Sequence, residues 1–475
     1  MQRKSMDEYR DLLVKALREA NWNDAAYYAT EILQIDENLP WAWANRGVAL
    51  SKLGHPLDAI LNHDRAIALE PSPISYSNKG SAYWDMEKAD EAMKWFKKAI
   101  EINPNIPHTH MNMGHLYKWD GKLKEAIESY RKSVAADPTY ADGQLALALA
   151  LLKDGQLKEG WEQYEWRWKT NQMVPRGLKE PQWNGENLNR KSILVYSEQG
   201  FGDVMNFARV ARILAQQYPM CRIIIEARQP VRRLLETIPE VYAVINFGDD
   251  IPHVDYVIPM MTLIGMLTPT INSISSTEQE FLLRSRDVEA WGRRMSPLTE
   301  KYPGHFKVGI CWAGMARVAH PDALRIDQLR STTLDSFAPL AKIPGIVWVS
   351  LQKGPPAEQV KTPPTGMTIG DFTEDMYDFY ETCCAIDNCD LVISVDTAVL
   401  HAAASIGKPT WLLSRWDGCW RWFGDRKDSP WYPTLRQFVQ PAPHDWDGMM
   451  EQVAVELREF IKDKSEPELD LTLAN

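Results

Sequence analysis

Gly47, Gly80 and Gly114 follow one another at steps of 33 and 34 residues, and Ala59, Ala92 and Ala126 and then Pro71, Pro104 and Pro138 keep the same steps. Three residue types sharing one period is internal repetition, which constrains architecture more than any single motif. The unit N-K-G-S-A-Y-W-D-M-E-K-A-D-E-A-M-K-W-F-K-K-A-I-E-I-N-P reads as a helix, a turn and a second helix carrying small and aromatic residues. Glycine and alanine at fixed positions let the paired helices approach closely, and proline ends the second helix. A degenerate unit precedes the three clear ones with Ala25 in register. Another follows with Gly155 and Tyr164 in register.

The chain of 475 residues is too long for a single core, and length suggests roughly two to four domains. A net charge of -11 with no long basic run gives no basis for a nucleic-acid groove, so no nucleic-acid partner is expected. The apolar stretch Met260–Leu267 is far too short to span a membrane. The N-terminus M-Q-R-K-S-M-D-E-Y-R lacks the apolar core of a signal peptide. The six cysteines fit neither a zinc site nor a disulfide framework, and several sit in apolar runs. These features predict a cytoplasmic protein with reduced thiols and no membrane span.

After the repeats, G-W-E-Q-Y-E-W-R-W at 160–168 reads as an aromatic helix closing the array, and 171–190 reads as an ordered connector. The periodicity then changes. Strands are expected at 192–196, 222–226, 241–247 and 256–260, with a helix over 204–217, and strands alternating with helices imply a parallel α/β sheet. The loop S-E-Q-G-F-G-D between the first strand and its helix has no third glycine at Asn206, so it is not a dinucleotide fingerprint. Gly200 and Gly202 instead allow a tight turn with space beside it. Asp203 stands at the first turn of the helix. It either stabilises that helix, an effect of about 1 kcal/mol, or serves as a general base facing a ligand.

Residues 268–306 form a polar, partly helical bridge to a second series. K-V-G-I-C-W-A-G begins it, and a long polar loop over 315–331 follows, carrying Arg317, His320, Arg325 and Arg330. A helix over 333–340, a strand over 346–352 and a helix over 372–386 lead to D-L-V-I-S-V-D-T-A-V-L-H-A-A-A-S-I-G-K-P-T-W-L-L-S at 390–414. There an apolar, β-branched run at 391–395 reads as a buried strand. Asp396 and Thr397 start an alanine-rich helix that Gly407 and Pro409 stop. Ligands of open parallel sheets bind at such strand ends, where a helix N-terminus offers free N–H groups to a phosphate. Thr397 and His401, four residues apart, share one helix face. Arg330 is a cation able to neutralise a diphosphate without a metal. A long aromatic and charged loop and an amphipathic helix over 446–461, expected to lean towards the first half, complete the chain before a polar tail.

The repeat is similar to the tetratricopeptide repeat, a helical solenoid with a concave binding face. In order, S-E-Q-G-F-G-D, C-W-A-G, L-R-S, V-S-L-Q-K-G-P, I-S-V-D-T-A-V-L-H-A-A-A-S-I-G-K-P, and W-R-W followed by D-S-P-W-Y-P resemble bacterial tetratricopeptide-repeat proteins with a heptosyltransferase-like, family 9-type glycosyltransferase domain. The resemblance implies an all-α TPR solenoid over 1–168 and a connector over 169–190. It further implies a GT-B fold of two Rossmann-like domains facing a cleft, acceptor-side over 191–300 and donor-side over 301–463, and a disordered tail over 464–475.

The function it implies is inverting, metal-independent sugar transfer from a nucleotide-sugar, with no cofactor and no metal. Asp203 matches the family's catalytic base and Arg330 its cation on the donor phosphates. Asp396 matches the carboxylate that holds sugar hydroxyls, and Thr397, Ala398 and His401 match the pyrophosphate-side segment. Trp312, Gly314 and Gln352 lie on strand ends that line the donor pocket in such folds. The segment H-P-D-A-L-R-I-D-Q-L-R-S is longer than the N-D-R-x-R-S of repeat-bearing relatives, which leaves Arg325 and Arg330 both open as the phosphate contact. The concave face would hold a protein, peptide or glycan acceptor, and a homo-oligomer is compatible. The rival readings are a non-catalytic repeat scaffold with a nucleotide-binding module, and a sugar-nucleotide epimerase.

Overall fold

The computed structural model describes residues 4–170, 173–274, 276–277, 279–315, 321–424 and 426–465. Arg317, His320 and all but the first two residues of the expected disordered tail lie outside them. By internal contacts the chain divides into Met1–Leu151 with Gln163–Met173, and Leu152–Glu162 with Val174–Asn475.

The first unit is helical: α1 (Met6–Arg18), α2 (Trp22–Leu33), α3 (Pro40–Lys52), α4 (Pro56–Leu69), α5 (Pro73–Asp85), α6 (Ala89–Ile102), α7 (Pro107–Trp119), α8 (Leu123–Ala136) and most of α9 (Ala141–Lys153). The recurrent glycines explain the pairing. A Cβ built on Gly47 would meet the His63 ring at 2.5 Å, one on Gly80 the Phe96 ring at 2.6 Å, and one on Gly114 the Tyr130 ring at 2.5 Å. In each repeat the ring of the second helix therefore fills the space that glycine leaves on the first. Pro71, Pro104 and Pro138 lie just beyond α4, α6 and α8. Prolines also open α3, α4, α5 and α7 at the first turn, where the missing N–H is no loss.

The second unit contains α10 (Leu157–Tyr164) up to Glu162, then β1 (Ser192–Tyr196), α11 (Phe201–Phe207), α12 (Val210–Gln217), β2 (Arg222–Ala227), α13 (Gln229–Leu235), β3 (Val241–Asn246), β4 (Tyr256–Pro259) and α14 (Met260–Leu267). These strands form one sheet in the order β3-β2-β1-β4, with every pairing parallel. The connector extends it, since Gln182 bridges Val257 in parallel. After α15 (Ser285–Thr299) come β5 (Phe306–Cys311), α16 (Pro321–Arg330), α17 (Ala338–Ala341), β6 (Ile346–Ser350), β7 (Ile369–Asp371), α18 (Phe379–Asp387), β8 (Leu391–Val395), α19 (Ala398–Ser405), β9 (Thr410–Ser414), β10 (Leu435–Val439) and α20 (Trp446–Ser465). The second sheet runs β10-β9-β8-β5-β6-β7, again all parallel. Two separate Rossmann-like sheets with their helices give the GT-B architecture. The halves meet where α11 packs on α19.

Several details differ from the sequence reading. The expected single helix over 204–217 breaks between Phe207 and Val210 into α11 and α12, and α11 begins at Phe201, inside the expected loop. Residues 321–330 are helical rather than loop. Pro321 opens that helix at its first position, and its apolar residues do not gather on one face, which hides it from periodicity. The strands β7 and β10 were not expected; β7 has only three residues at a sheet edge. Finally, the apolar face of α20 packs on the second half. Its Met449, Met450, Val453, Ala454 and Leu457 enter the core of the second, alongside Trp348, Trp411 and Phe438.

Candidate functional site

The turn after β1 is short because α11 starts at once. Gly200 is its N-cap residue, and the Gly200 N–H donates to Asp203 Oδ2 at 3.2 Å. Asp203 therefore does hold its helix end. Its other oxygen, Oδ1, forms an ion pair with the Arg421 guanidinium. Gly202 lies against the second half: a Cβ there would come 2.6 Å from His401 Cδ2.

The turn after β8 supplies the facing groups. Thr397 is the N-cap residue of α19 by position, yet its hydroxyl turns back to Ser394 Oγ at 3.1 Å and caps nothing. His401, one turn into α19, is fully enclosed. Its Nδ1 is 2.9 Å from the Tyr432 hydroxyl, its ring stacks on Trp422 with centroids 5.2 Å apart, and Nε2 stands 4.0 Å from Asp396 Oδ1. Burial pushes the imidazole down to about 4, against the opposing pull of the Asp396 and Asp203 carboxylates. It is neutral at pH 7, so it can donate or accept a hydrogen bond but carries no charge to a phosphate. Burial likewise raises the Tyr432 phenol above its ordinary range, which keeps it a hydroxyl.

Arg330, at the end of α16, donates to Asp327 Oδ1 at 2.7 and 3.1 Å and to the Asp396 carbonyl at 3.0 Å. The guanidinium is thus already held on the strand-end turn that carries Asp396. Gly314 makes room for it, since a Cβ there would come 2.6 Å from Arg330 Nη2. Gln352 is engaged chiefly with backbone, besides a bond from the Cys311 thiol to its Oε1 at 3.4 Å. Its Oε1 accepts from the N–H groups of Trp312 and Ala313 at 3.0 and 2.8 Å, and its Nε2 donates to the carbonyls of Ala313 and Lys353 at 3.0 and 2.9 Å. It fixes the C-W-A-G turn rather than offering its amide outward. Trp312 points into the core of the second half and is fully buried.

The structure brings Asp203, Gly202, Asp396 and His401 together with Arg421, and Arg330 adjoins Asp396. The sequence reading gave no role to Arg421, Tyr432 or Trp422. Their signal was the W-R-W and D-S-P-W-Y-P segments, but a loop has no periodicity from which to place side chains. It also missed Arg209, which is buried behind the site with Nε donating to the Asn206 carbonyl at 2.7 Å and Nη1 to the Trp431 carbonyl at 2.8 Å, 3.7 Å from Glu280.

Profiles described as "Tetratricopeptide repeat" and "TPR repeat" match residues 74–106 and 120–155. The helical N-terminal region is a tetratricopeptide-repeat array. Among curated proteins, the chain is 23% identical over 311 residues to protein FlbA of Caulobacter vibrioides, covering 59% of this chain and 48% of that protein. It is 30% identical over 100 residues to Hsp70-Hsp90 organizing protein 2 of Arabidopsis thaliana, covering 21% of this chain and 18% of that one. The chain thus spans about half the length of the first relative and less than a fifth of the second. Among solved structures, a thermophilic TPR protein of Thermus thermophilus aligns at 21% identity and a TM-score of 0.34, covering 36% of this chain and 93% of that one. A family 9 glycosyl transferase of Veillonella parvula aligns at 12% identity and a TM-score of 0.42, covering 58% of this chain and 90% of that one. Among the described residues, no helix is long and apolar enough to cross a membrane.

Proposed function

We propose that the α/β unit is an inverting glycosyltransferase that needs no metal, and that the repeat array holds part of its acceptor, a protein, peptide or glycan. One observation carries the reading: Asp203, in the first turn of α11 in one half, pairs with Arg421 of the other, and its neighbour Gly202 lies against His401 of α19. A base and a diphosphate-binding turn are what this transfer requires on opposite sides of one reacting carbon. Asp203 takes the proton of an acceptor hydroxyl, whose oxygen forms the new bond to the anomeric carbon. The bond from that carbon to the diphosphate oxygen breaks, and the diphosphate leaves with the electron pair. The first-turn N–H groups of α19, which the Thr397 hydroxyl leaves uncapped, and the Arg330 guanidinium stabilise the departing charge. Asp396 accepts hydrogen bonds from the donor sugar.

A panel of nucleotide-sugars, scored for thermal stabilisation and for turnover in EDTA and in Mg²⁺, tests this. One donor should stabilise and turn over equally in both. Strict metal dependence, or no turnover of any donor, would sink the reading. With that donor's nucleoside diphosphate as probe, Arg330→Ala should weaken binding by roughly 1–3 kcal/mol, as for a charge-assisted hydrogen bond. If Arg325→Ala weakens it instead, that arginine is the phosphate contact. A scaffold that binds nucleotide without transfer is favoured by one observation, that both oxygens of Asp203 already have partners. It would appear in the panel as stabilisation without turnover.

A further inference from the structure

Arg421 lies on the W-R-W turn of the second half and reaches Asp203 of the first. Its guanidinium is held from two more directions. It lies over the Trp420 ring, 4.5 Å from the centroid, and its Nη1 is 3.0 Å from Cys419 Sγ. The turn itself is anchored. Trp420 lies parallel to Phe207 of α11 with centroids 6.2 Å apart, and the Gln437 amide donates to the Trp422 carbonyl at 2.9 Å. Lys153 donates to the Asp417 carbonyl at 2.5 Å further back in the loop.

Phe423 ends the turn. It adopts φ 59° and ψ −175°, a region that residues with a Cβ almost never occupy, and it does so while buried. Such backbone persists only where the surroundings over-determine it. The packing forces the W-R-W turn into one shape, and that shape delivers Arg421 to the carboxylate.

We propose that Arg421 is the positioning residue for Asp203, so that the second half orients the base of the first; this rests on the transfer reading above. A carboxylate has about four lone-pair sites on its two oxygens. The Gly200 N–H takes one on Oδ2 and the Arg421 guanidinium pairs as an ion with Oδ1, which together orient the group and leave lone pairs for the acceptor hydroxyl. Arg421 acts through Asp203, and only while the two halves are closed.

Two measurements on the full chain test it, with Arg421→Ala, Arg421→Lys, Asp203→Asn and the double variant Asp203→Asn/Arg421→Ala. The first is a melting cycle, which needs no substrate. The double variant should lose less than the summed losses of the single ones, by about 2 °C or more. Additive losses would overturn the pairing. The second is turnover of the donor found by the nucleotide-sugar panel. Arg421→Ala should lower kcat by about 10- to 10²-fold, the range for a misplaced reacting group, with donor KM unchanged. Arg421→Lys should recover part of the loss, and Arg421→Ala should add none in the Asp203→Asn background. A raised donor KM with normal kcat would overturn the proposal and make Arg421 a donor ligand. A coupled melting cycle in a protein that turns over no donor upholds the pairing and removes the transfer reading instead.

Discussion

Gly202 and His401 touch across the two halves: a Cβ on the glycine would lie 2.6 Å from His401 Cδ2 and 3.2 Å from Nε2. The imidazole has nowhere to retreat, because it stacks on Trp422 and bonds to Tyr432. Gly202→Ala would ordinarily favour a helix by up to about 1 kcal/mol. Here overpacking should win, at roughly 1–3 kcal/mol of lost stability. Thermal melting and donor turnover should fall together. An alanine variant as stable and active as the parent would mean that α11 and α19 separate freely.

Asp203→Asn should lower transfer by about 10²- to 10⁴-fold, the usual worth of a general base. Its amide oxygen can still accept the Gly200 N–H, so the helix end survives. The amide nitrogen, however, would meet the Arg421 guanidinium as donor facing donor. The structure therefore adds a stability loss of roughly 1–3 kcal/mol to the catalytic one. Retention of more than about a tenth of the parent rate would remove Asp203 as base. A melting point equal to the parent's would speak against the Arg421 pair.

Acid should destabilise the α/β unit through His401. The folded group titrates at about 4, below its ordinary 6.5, chiefly because it is buried. As pH falls from about 6.5 to about 4, the unfolded chain binds a proton that the folded one refuses, so stability is lost over that window and unaffected above it. Between pH 7 and pH 5 this amounts to roughly 2 kcal/mol. His63 in the array, lowered to about 4 by the same cause, acts alike in its own unit. Urea unfolding of His401→Gln at the two pH values should show a correspondingly flatter dependence. A slope as steep as the parent's would show that His401 is not the group responsible.

The repeat turns offer a test of the array. Gly54, Gly121 and Gly155 have φ of 84°, 73° and 80°, and at the same register stand Ala20 and Glu87 with φ of 53° and 57°. A Cβ in the left-handed region costs roughly 1–2 kcal/mol, partly offset by the freedom glycine adds to the unfolded chain. Ala20→Gly should therefore stabilise the array by roughly 0.5–1 kcal/mol, read by chemical denaturation. Loss of stability would show that the turn tolerates alanine without strain.

The amino-acid sequence by itself determined what depends on neighbours along the chain. The period of Gly47, Gly80 and Gly114 specified paired helices because each glycine must face a ring in the second helix of its own repeat. The strand Leu391–Val395 was legible because a continuous apolar run followed by Asp396 and Thr397 has few other uses. Asp203 was placed at a helix start because two glycines next to a strand leave little alternative. Only the tertiary structure decided what those groups face. Arg421 meets Asp203, and Tyr432 meets His401, across contacts that arise from two sheets closing on each other. Trp312 and Gln352 follow the same rule: both stand at a strand end, yet one fills the core and the other binds backbone with every amide atom. Periodicity reports which face of an element is apolar. The partner that face or loop will meet depends on how distant segments pack, and no local spacing encodes it.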